Sequence, residues 1–405
     1  MIIQSALVKG WLTTGGKSRA ARILAGELTL LSVAGPAAFR TRWRIQATEG
    51  RLDAARSELY RSYWLAAAQT LGADVCTNSD GSLDISLDGH RTTVWDSSVE
   101  LDDPVSLRLA LNKPTTQARL AASQVPTPEQ LVCEQHEFDR ARRFLETNGD
   151  CTVKPAGAGR GSGVTCGVKT PRDLALAFAF ALRWGTLVVI ERHISGSEYR
   201  MLVLDGKVVS VVRRGPPSVL GDGASTVGQL VVADNTRRVT APDQHGLYPI
   251  TIDLDMILTL RRAGLTLRSV LADQQHAVVK TAVNENGPGD NEIVVPSAHL
   301  EQAAVSAARA VHLRYAAVEI ITPNDNQGFD LSNGAVIEVN GAPGLHFHYQ
   351  VSNPKGRDAV AVVVLRRLLG QDASVAPPWV AGDPGDPDPQ TTASGAETAE
   401  GIHPA

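Results

Sequence analysis

The sequence predicts an α+β fold with α/β segments and several sheets. From about residue 150 onward, apolar β-branched runs of strand length alternate with helix-periodic segments. Two Asp-Gly dipeptides, Asp88-Gly89 and Asp205-Gly206, each sit between alternating runs and predict antiparallel hairpins. No internal repeat is visible, so the chain reads as one composite unit.

A chain of 405 residues, 43% hydrophobic and 20% charged, can bury one large core or several ordinary ones. Its net charge of −4 and scattered basic residues exclude a polyanion footprint, so no nucleic-acid partner is expected. The four cysteines form no CxxC pair, which fits reduced thiols and a cytoplasmic setting. The start, MIIQSALVKGWLTTGGKSR, lacks a secretory pattern, and ILAGELTLLSVAG is broken by Glu27 and too short to span a bilayer, so no membrane partner is expected either.

In chain order, RLDAARSELYRSYWLAAAQTLG reads as a helix and DGSLDISLDGHRTTVW as a hairpin. Pro114 disfavours helix at Lys113 and marks a boundary near NKPTT. CTVKPA is a strand, DLALAFAFALRW a helix, TLVVIERHI a strand, and MLVLDGKVVSVV a hairpin. HLEQAAVSAARAVHL is a helix, followed by strands in YAAVEIIT and AVIEVNG. Residues 372–405, without Lys or Arg and rich in Pro and Gly, read as a disordered acidic tail.

The stretch VKPAGAGRGSGV, Val153 to Val164, holds the first chemical signal. Its glycines free backbone N–H groups to converge on an anion, although a plain flexible turn has the same composition. The dinucleotide spacing fails, because Val164 stands where a triplet from Gly159 needs its last glycine. A Walker loop fails as well, since Lys154 precedes the glycines rather than following them. Glu319 and Glu338 lie inside strands so apolar that their charges need a partner or a cation, and period-2 spacing puts Asn340 on the same face as Glu338. Two carboxylates and an amide oxygen suit Mg²⁺; pairing with an arginine such as Arg309 or Arg314 is the alternative.

Six pieces in order, NKPTTQARLAASQVPTP, VKPAGAGRGSGV, VVIERHISGSEYRMLVLDGKVV, RGPPSVLGDGASTVGQLV, LTLRSV and VEIITPN with GAVIEVNGAPGLHFH, resemble the ATP-grasp superfamily of carboxylate–amine ligases. The similarity is greatest to the ATP-grasp portion of cyanophycin synthetase and to glutathione synthetase modules. It implies an ATP-grasp fold, with nucleotide held between two α+β subdomains at 111–196 and 197–371, behind an N-terminal substrate region at 1–110.

The resemblance also implies roles. Lys113 and Lys154 would contact the nucleotide phosphates, and the loop with Gly157, Gly159, Arg160, Gly161, Ser162 and Gly163 would form the lid. Glu191 and Ile194 would meet adenine and Glu198 the ribose, while Glu319, Glu338 and Asn340 would hold Mg²⁺ or Mn²⁺. Arg214, Lys280 and Asn284 would act at the acyl-phosphate, and Arg200, Gly341, His346 and His348 on the substrate side. The implied reaction is ATP-dependent amide formation between a small carboxylate and an amine, amino acids or peptides, in a chain that lacks the Mur-ligase-like domain of cyanophycin synthetase. A role in peptide natural-product biosynthesis and a homo-oligomeric state are further expectations.

Departures from the family pattern are Asn112 in place of Asp, Glu319 in place of Asp, Arg213 in place of an acid and His346 in place of Arg. The last two fall at positions expected near substrate. The rival readings are a glutathione-synthetase or D-Ala-D-Ala-ligase-like dipeptide ligase, and a non-catalytic ATP-binding protein.

Overall fold

The computed structural model describes residues 18–46, 49–159, 161–240, 247–323, 328–353 and 359–371. The tail expected at 372–405 and the loop residue Arg160 lie outside these. Every strand pair described is antiparallel, which makes the fold α+β.

Both predicted hairpins form where the Asp-Gly pairs stand. β2 (Leu83–Leu87) meets β3 (His90–Trp95) with Leu87 opposite His90, and β9 (Ser197–Leu204) meets β10 (Lys207–Arg214) with Leu204 opposite Lys207. Asp88 and Gly89, and likewise Asp205 and Gly206, all take positive φ, the conformation that lets a two-residue turn match strand twist. β1 (Asp74–Thr77) and β4 (Ser98–Val99) complete an N-terminal sheet in the order β1-β2-β3-β4.

The next sheet, in the order β5-β8-β6-β7, is built from Gln130–Glu134, Leu187–Arg192, Cys151–Pro155 and Thr165–Val168. Against it lies the helix Pro171–Ala181, which is apolar on all sides because a second layer covers it, including Leu30 of the helix Arg19–Gln46 and Leu254 of the helix Leu254–Arg262. Its start is set by Thr170, whose side chain accepts from the Asp173 amide.

A five-stranded sheet runs β13-β10-β9-β14-β15, with β13 at Asn291–Ile293, β14 at Tyr315–Thr322 and β15 at Ala335–Gly341. The helix Ala298–Ala310 covers one face with Leu300, Ala303, Ala304, Ala307 and Ala308, a 3.6-residue stripe whose small side chains allow close approach. Leu202, Leu204 and Tyr315 on the other face meet the helices Glu49–Leu71 and Ala359–Leu368 and the N-terminal sheet. β11 (Ser218–Leu220) and β12 (His276–Val278) pair beside the helix Val227–Thr240.

One local expectation is modified. Lys113 begins a helix, Lys113–Ala122, rather than being excluded from one, because Pro114 lies in its first turn, where no intrahelical donor is needed. Asn112 caps that helix by accepting from the Thr115 amide at 3.1 Å, a task that Asp would do equally well.

Trp64 ties the N-terminal layer to the rest. It is 1% exposed, packs among Ile85, Leu202 and Val364, and donates Nε1–H to the Asp96 carbonyl at 2.9 Å. Trp64→Ala is expected to cost about 3–5 kcal/mol, read as a lowered denaturant midpoint.

Candidate active site

The site grows out of strand register. Arg200 of β9 lies opposite Glu319 of β14, and Glu319 lies opposite Glu338 of β15, so three charged side chains form a row across the sheet. Two residues back on β9, on the same face, Glu198 stands opposite Arg214 of β10. A bulge in β15 leaves Ile337 without a partner residue beside Glu338, and Gln117 Nε2–H donates to the Ile337 carbonyl at 3.1 Å. Bulges re-aim side chains, and this one stands at the row of acids.

Opposite this face, Thr152 and Lys154 of β6 and Glu191 of β8 form the other wall of a cavity of about 340 Å³. Ile194, Gly161 and Asn284 line it as well. Four cations, Lys113, Lys154, Arg200 and Arg214, stand against four carboxylates, Glu191, Glu198, Glu319 and Glu338. Lys113 pairs with Glu338, Arg200 with Glu319, and Arg214 with Glu198 at 2.7 Å and Glu319 at 3.4 Å. Burying so many charges is tolerated because each has a partner. Burial pushes the Glu198 carboxyl up to about 8 against the pull of Arg214. Burial works the same way on Glu338, but Lys113, with Lys154 and Arg200 behind it, brings that carboxyl down to about 2.

Lys154 Nζ lies 2.7 Å from Glu191 Oε2, an ion pair rather than an aligned hydrogen bond, since that buried oxygen has no hydrogen-bond partner. A buried acceptor left over in a cavity wall fits a ligand that brings donors. The connection from β8 to β9 is pinned at Gly196 (φ 143°), where a Cβ would fall 2.3 Å from the Thr322 carbonyl carbon. Gly163 in the glycine loop has φ 75° and would press a Cβ to 2.6 Å from the Trp184 ring, so that position also requires glycine.

Other expected residues are distributed more widely. Gly159, Arg200, Asn340, Gly341 and His346 line a second cavity of about 590 Å³, and Asn284, Glu319 and Glu338 line both. Gly157, Ser162 and Gly163 belong to the loop but line neither cavity. Arg160 lies outside the described residues.

Lys280 is not brought to either cavity. It is 2% exposed, and its Nζ donates to Asp253 and Glu285, both at 2.8 Å. Burial opposes its charge, but these two carboxylates raise the ammonium pKa above the ordinary lysine value. Asp253 also caps the helix Leu254–Arg262, and Asp255 accepts from the amides of Cys166, Thr281 and Ala282. The cluster therefore holds the segment that carries Asn284 to the junction of the two cavities. His348 is likewise off both cavities, fully buried with Nδ1 2.8 Å from Ser210 Oγ. Arg213 points away from its neighbour Arg214 and pairs with Glu292 on β13, so it too lines neither cavity. Glu319 does have arginine partners, but they are Arg200 and Arg214; Arg314 is engaged with Asp205.

Sequence reasoning missed Asp53, Arg56, Ser57 and Tyr60, which put one face of the helix Glu49–Leu71 into the second cavity, together with Phe347. Their i, i+3, i+4, i+7 spacing was the available signal. Tyr60 Oη lies 2.7 Å from His346 Nδ1, and Phe347 places its ring 4.6 Å and 4.4 Å from the guanidinium carbons of Arg200 and Arg214.

Cyanophycin synthetase of Nostoc sp. is 29% identical over 266 residues, 64% of this chain and 29% of that protein. The glutathione biosynthesis bifunctional protein of Mannheimia succiniciproducens is 27% identical over 301 residues, 72% of this chain and 40% of that protein. The chain resembles the ATP-grasp portion of cyanophycin synthetase. It spans about three tenths of the length of that relative, at 29%. Among solved structures, a bifunctional glutathione synthetase from Pasteurella multocida aligns with a TM-score of 0.49 at 22% identity, over 76% of this chain and 44% of that one. No family model matches the chain. No described helix is long and apolar enough to cross a membrane, and all four cysteines are free thiols.

Two outcomes test these placements. Lys280→Met is expected to cost about 3–5 kcal/mol of unfolding free energy, because Asp253 and Glu285 would be left buried without their cation. His348 is held by burial, with Arg200 and Arg214 adding repulsion, down to about 3 from an ordinary 6.5. Between those values the unfolded chain binds the extra proton, so stability falls as pH drops below 6.5, by about 2 kcal/mol at about pH 5 for this one group. Thermal unfolding followed from neutral pH to about pH 5 should therefore show a shallower decline in His348→Gln than in the unaltered chain.

Proposed function

We propose that this chain is an ATP-dependent carboxylate–amine ligase that forms an amide through an acyl-phosphate and releases ADP and phosphate. The observation that carries the reading is the wall shared by the two cavities, where Glu319 and Glu338 face each other on paired strands among the buried Lys154, Arg200 and Arg214 and the half-buried Lys113. One cavity has the walls for a nucleotide; the other opens on the same acids. Similarity to cyanophycin synthetase and to a glutathione biosynthesis protein supports the same reaction class.

The donors at the wall suit a hard cation. Glu319, Glu338 and Asn340 supply two carboxylates and an amide oxygen, and no cluster of three His, Cys, Asp or Glu ligands occurs among the described residues, so phosphate and water oxygens would complete the shell. When bound, Mg²⁺ neutralises phosphate charge and orients the phosphoryl group. In this reading Lys113 and Lys154 exchange their present carboxylate partners for phosphate oxygens, and Glu191 Oε2 gains the donor it lacks. Glu198 binds ribose hydroxyls, and Arg214, held between Glu198 and Glu319, is positioned for the acyl-phosphate.

The first step joins a substrate carboxylate oxygen to the γ-phosphorus and breaks that atom's bond to ADP. In the second, an unprotonated amine attacks the acyl carbon, and phosphate leaves with the electrons of the C–O bond and takes up the proton that the nitrogen sheds. The protein's contribution is positioning and charge compensation in a site shielded from water. Asn284, at the junction and lining both cavities, is placed to meet the transferring group.

ADP release measured over pairs of amino acids and short peptides tests the proposal. At least one pair should stimulate release with Mg²⁺ATP, and Glu338→Ala should lower that rate by about 100-fold or more. Release equal to the Glu338→Ala blank for every pair would refute ligase activity on those substrates.

A further inference from the structure

We propose that Phe347 is a positioning residue, whose ring holds the guanidinium groups of Arg200 and Arg214 in place at the wall shared by the two cavities. The proposal deepens the ligase reading and rests on it for the chemistry those arginines serve.

The two arginines share one anchor. Arg200 Nη1 donates to Glu319 Oε1, and Arg214 Nη1 lies 3.4 Å from the same oxygen. Arg214 has further holds, in Glu198 Oε1 at 2.7 Å and the Val283 carbonyl at 3.2 Å. Among the described residues, the hydrogen bond and ion pair of the Arg200 guanidinium both go to Glu319. The Nε atoms of both arginines are buried and have no hydrogen-bond partner. Two like charges drawn to one oxygen repel each other, and water is too scarce here to screen them. Glu319 gives still less to either arginine once a cation shares it.

Phe347 supplies an attraction of a different kind. Its ring centroid lies 4.6 Å and 4.4 Å from the guanidinium carbons of Arg200 and Arg214. The negative face of an aromatic ring attracts a cation without accepting a conventional hydrogen bond, so the ring offsets the repulsion and leaves N–H donors for oxygen ligands.

The ring is itself held by its neighbours in the short helix His346–Tyr349. Tyr60 Oη lies 2.7 Å from His346 Nδ1, and a Cβ on Gly344 would fall 2.8 Å from that Oη and 2.9 Å from His346 Cε1, so glycine is what permits the approach. The His346 ring in turn lies 3.9 Å from the Phe347 ring. His348 Nδ1 lies 2.8 Å from Ser210 Oγ of β10, and Tyr349 stacks on Tyr63 at 3.9 Å while its hydroxyl accepts from the Ala361 amide at 3.0 Å. His346, His348 and Tyr349 are thus fastened to the fold, and Phe347 is carried to the second cavity between them.

Two substitutions separate the ring's charge distribution from its bulk. Phe347→Leu keeps an apolar side chain without a π face, and Phe347→Tyr keeps the face. The Nε–H signals of Arg200 and Arg214 in ¹⁵N NMR, assigned by their loss in Arg200→Lys and Arg214→Lys, report on the guanidinium groups with no nucleotide present. Their exchange with solvent should be about 10-fold or more faster in Phe347→Leu than in the unaltered chain, and within about 2-fold of it in Phe347→Tyr. Phe347 lines only the second of the two cavities, so the nucleotide should bind as before. With a substrate pair that stimulates ADP release, Phe347→Leu should lower kcat about 30-fold with the KM for Mg²⁺ATP within about 2-fold, and Phe347→Tyr should keep kcat within about 3-fold. Exchange as slow in Phe347→Leu as in the unaltered chain, a Phe347→Tyr variant no better than Phe347→Leu, or an unchanged kcat in Phe347→Leu would each overturn the proposal. Slow exchange that is lost with leucine and kept with tyrosine, while no pair stimulates ADP release, would uphold the ring's hold on the arginines and count against the ligase reading alone.

Discussion

The constraint on which the rest depends is the alignment of β9, β14 and β15. Antiparallel register fixes which side chains stand opposite one another, and here it sets Arg200, Glu319 and Glu338 in one row. A slip of one residue would turn all three into the alanine- and valine-rich core beneath. The apolar packing of the helix Ala298–Ala310 against that face therefore does two things at once: it stabilises the sheet and aims its charges into the cleft.

The buried charges are balanced by neighbours drawn from separate parts of the chain. Lys113 comes from a helix start, Lys154 and Glu191 from the other sheet, and Arg214 from the outer hairpin strand. Each pair is held in low-dielectric surroundings where losing one partner is costly, yet each is also a group that phosphate or a metal could engage instead. That exchangeability separates them from the Lys280 cluster, whose partners Asp253 and Glu285 lie off both cavities. One set of ions faces ligand space; the other fastens the segment that supports Asn284.

The helix Glu49–Leu71 adds a layer that a two-sheet cleft alone would not have. Trp64 anchors one end of it in the core, while Asp53, Arg56 and Tyr60, on turns nearer its start, face the second cavity. Core packing and the lining of the second cavity thus occupy successive turns of one helix, so its docking governs both.

Local chemistry was legible in the sequence wherever it was decided by neighbours along the chain. The two Asp-Gly hairpins, the helices at 171–181 and 298–310, the strands that carry Glu319 and Glu338, and the glycine loop after Lys154 all follow from turn preference and periodicity. What only the tertiary structure decided was partnership. Lys280 looked like a site residue until Asp253, far from it in sequence, was seen to bind it; Glu319 turned to Arg200 and Arg214 rather than Arg309 or Arg314; and Arg56 showed its place only once its helix had docked. The physical reason is that spacing along a chain sets which face a side chain leaves from, while burial and ion pairing depend on what the fold brings to meet it.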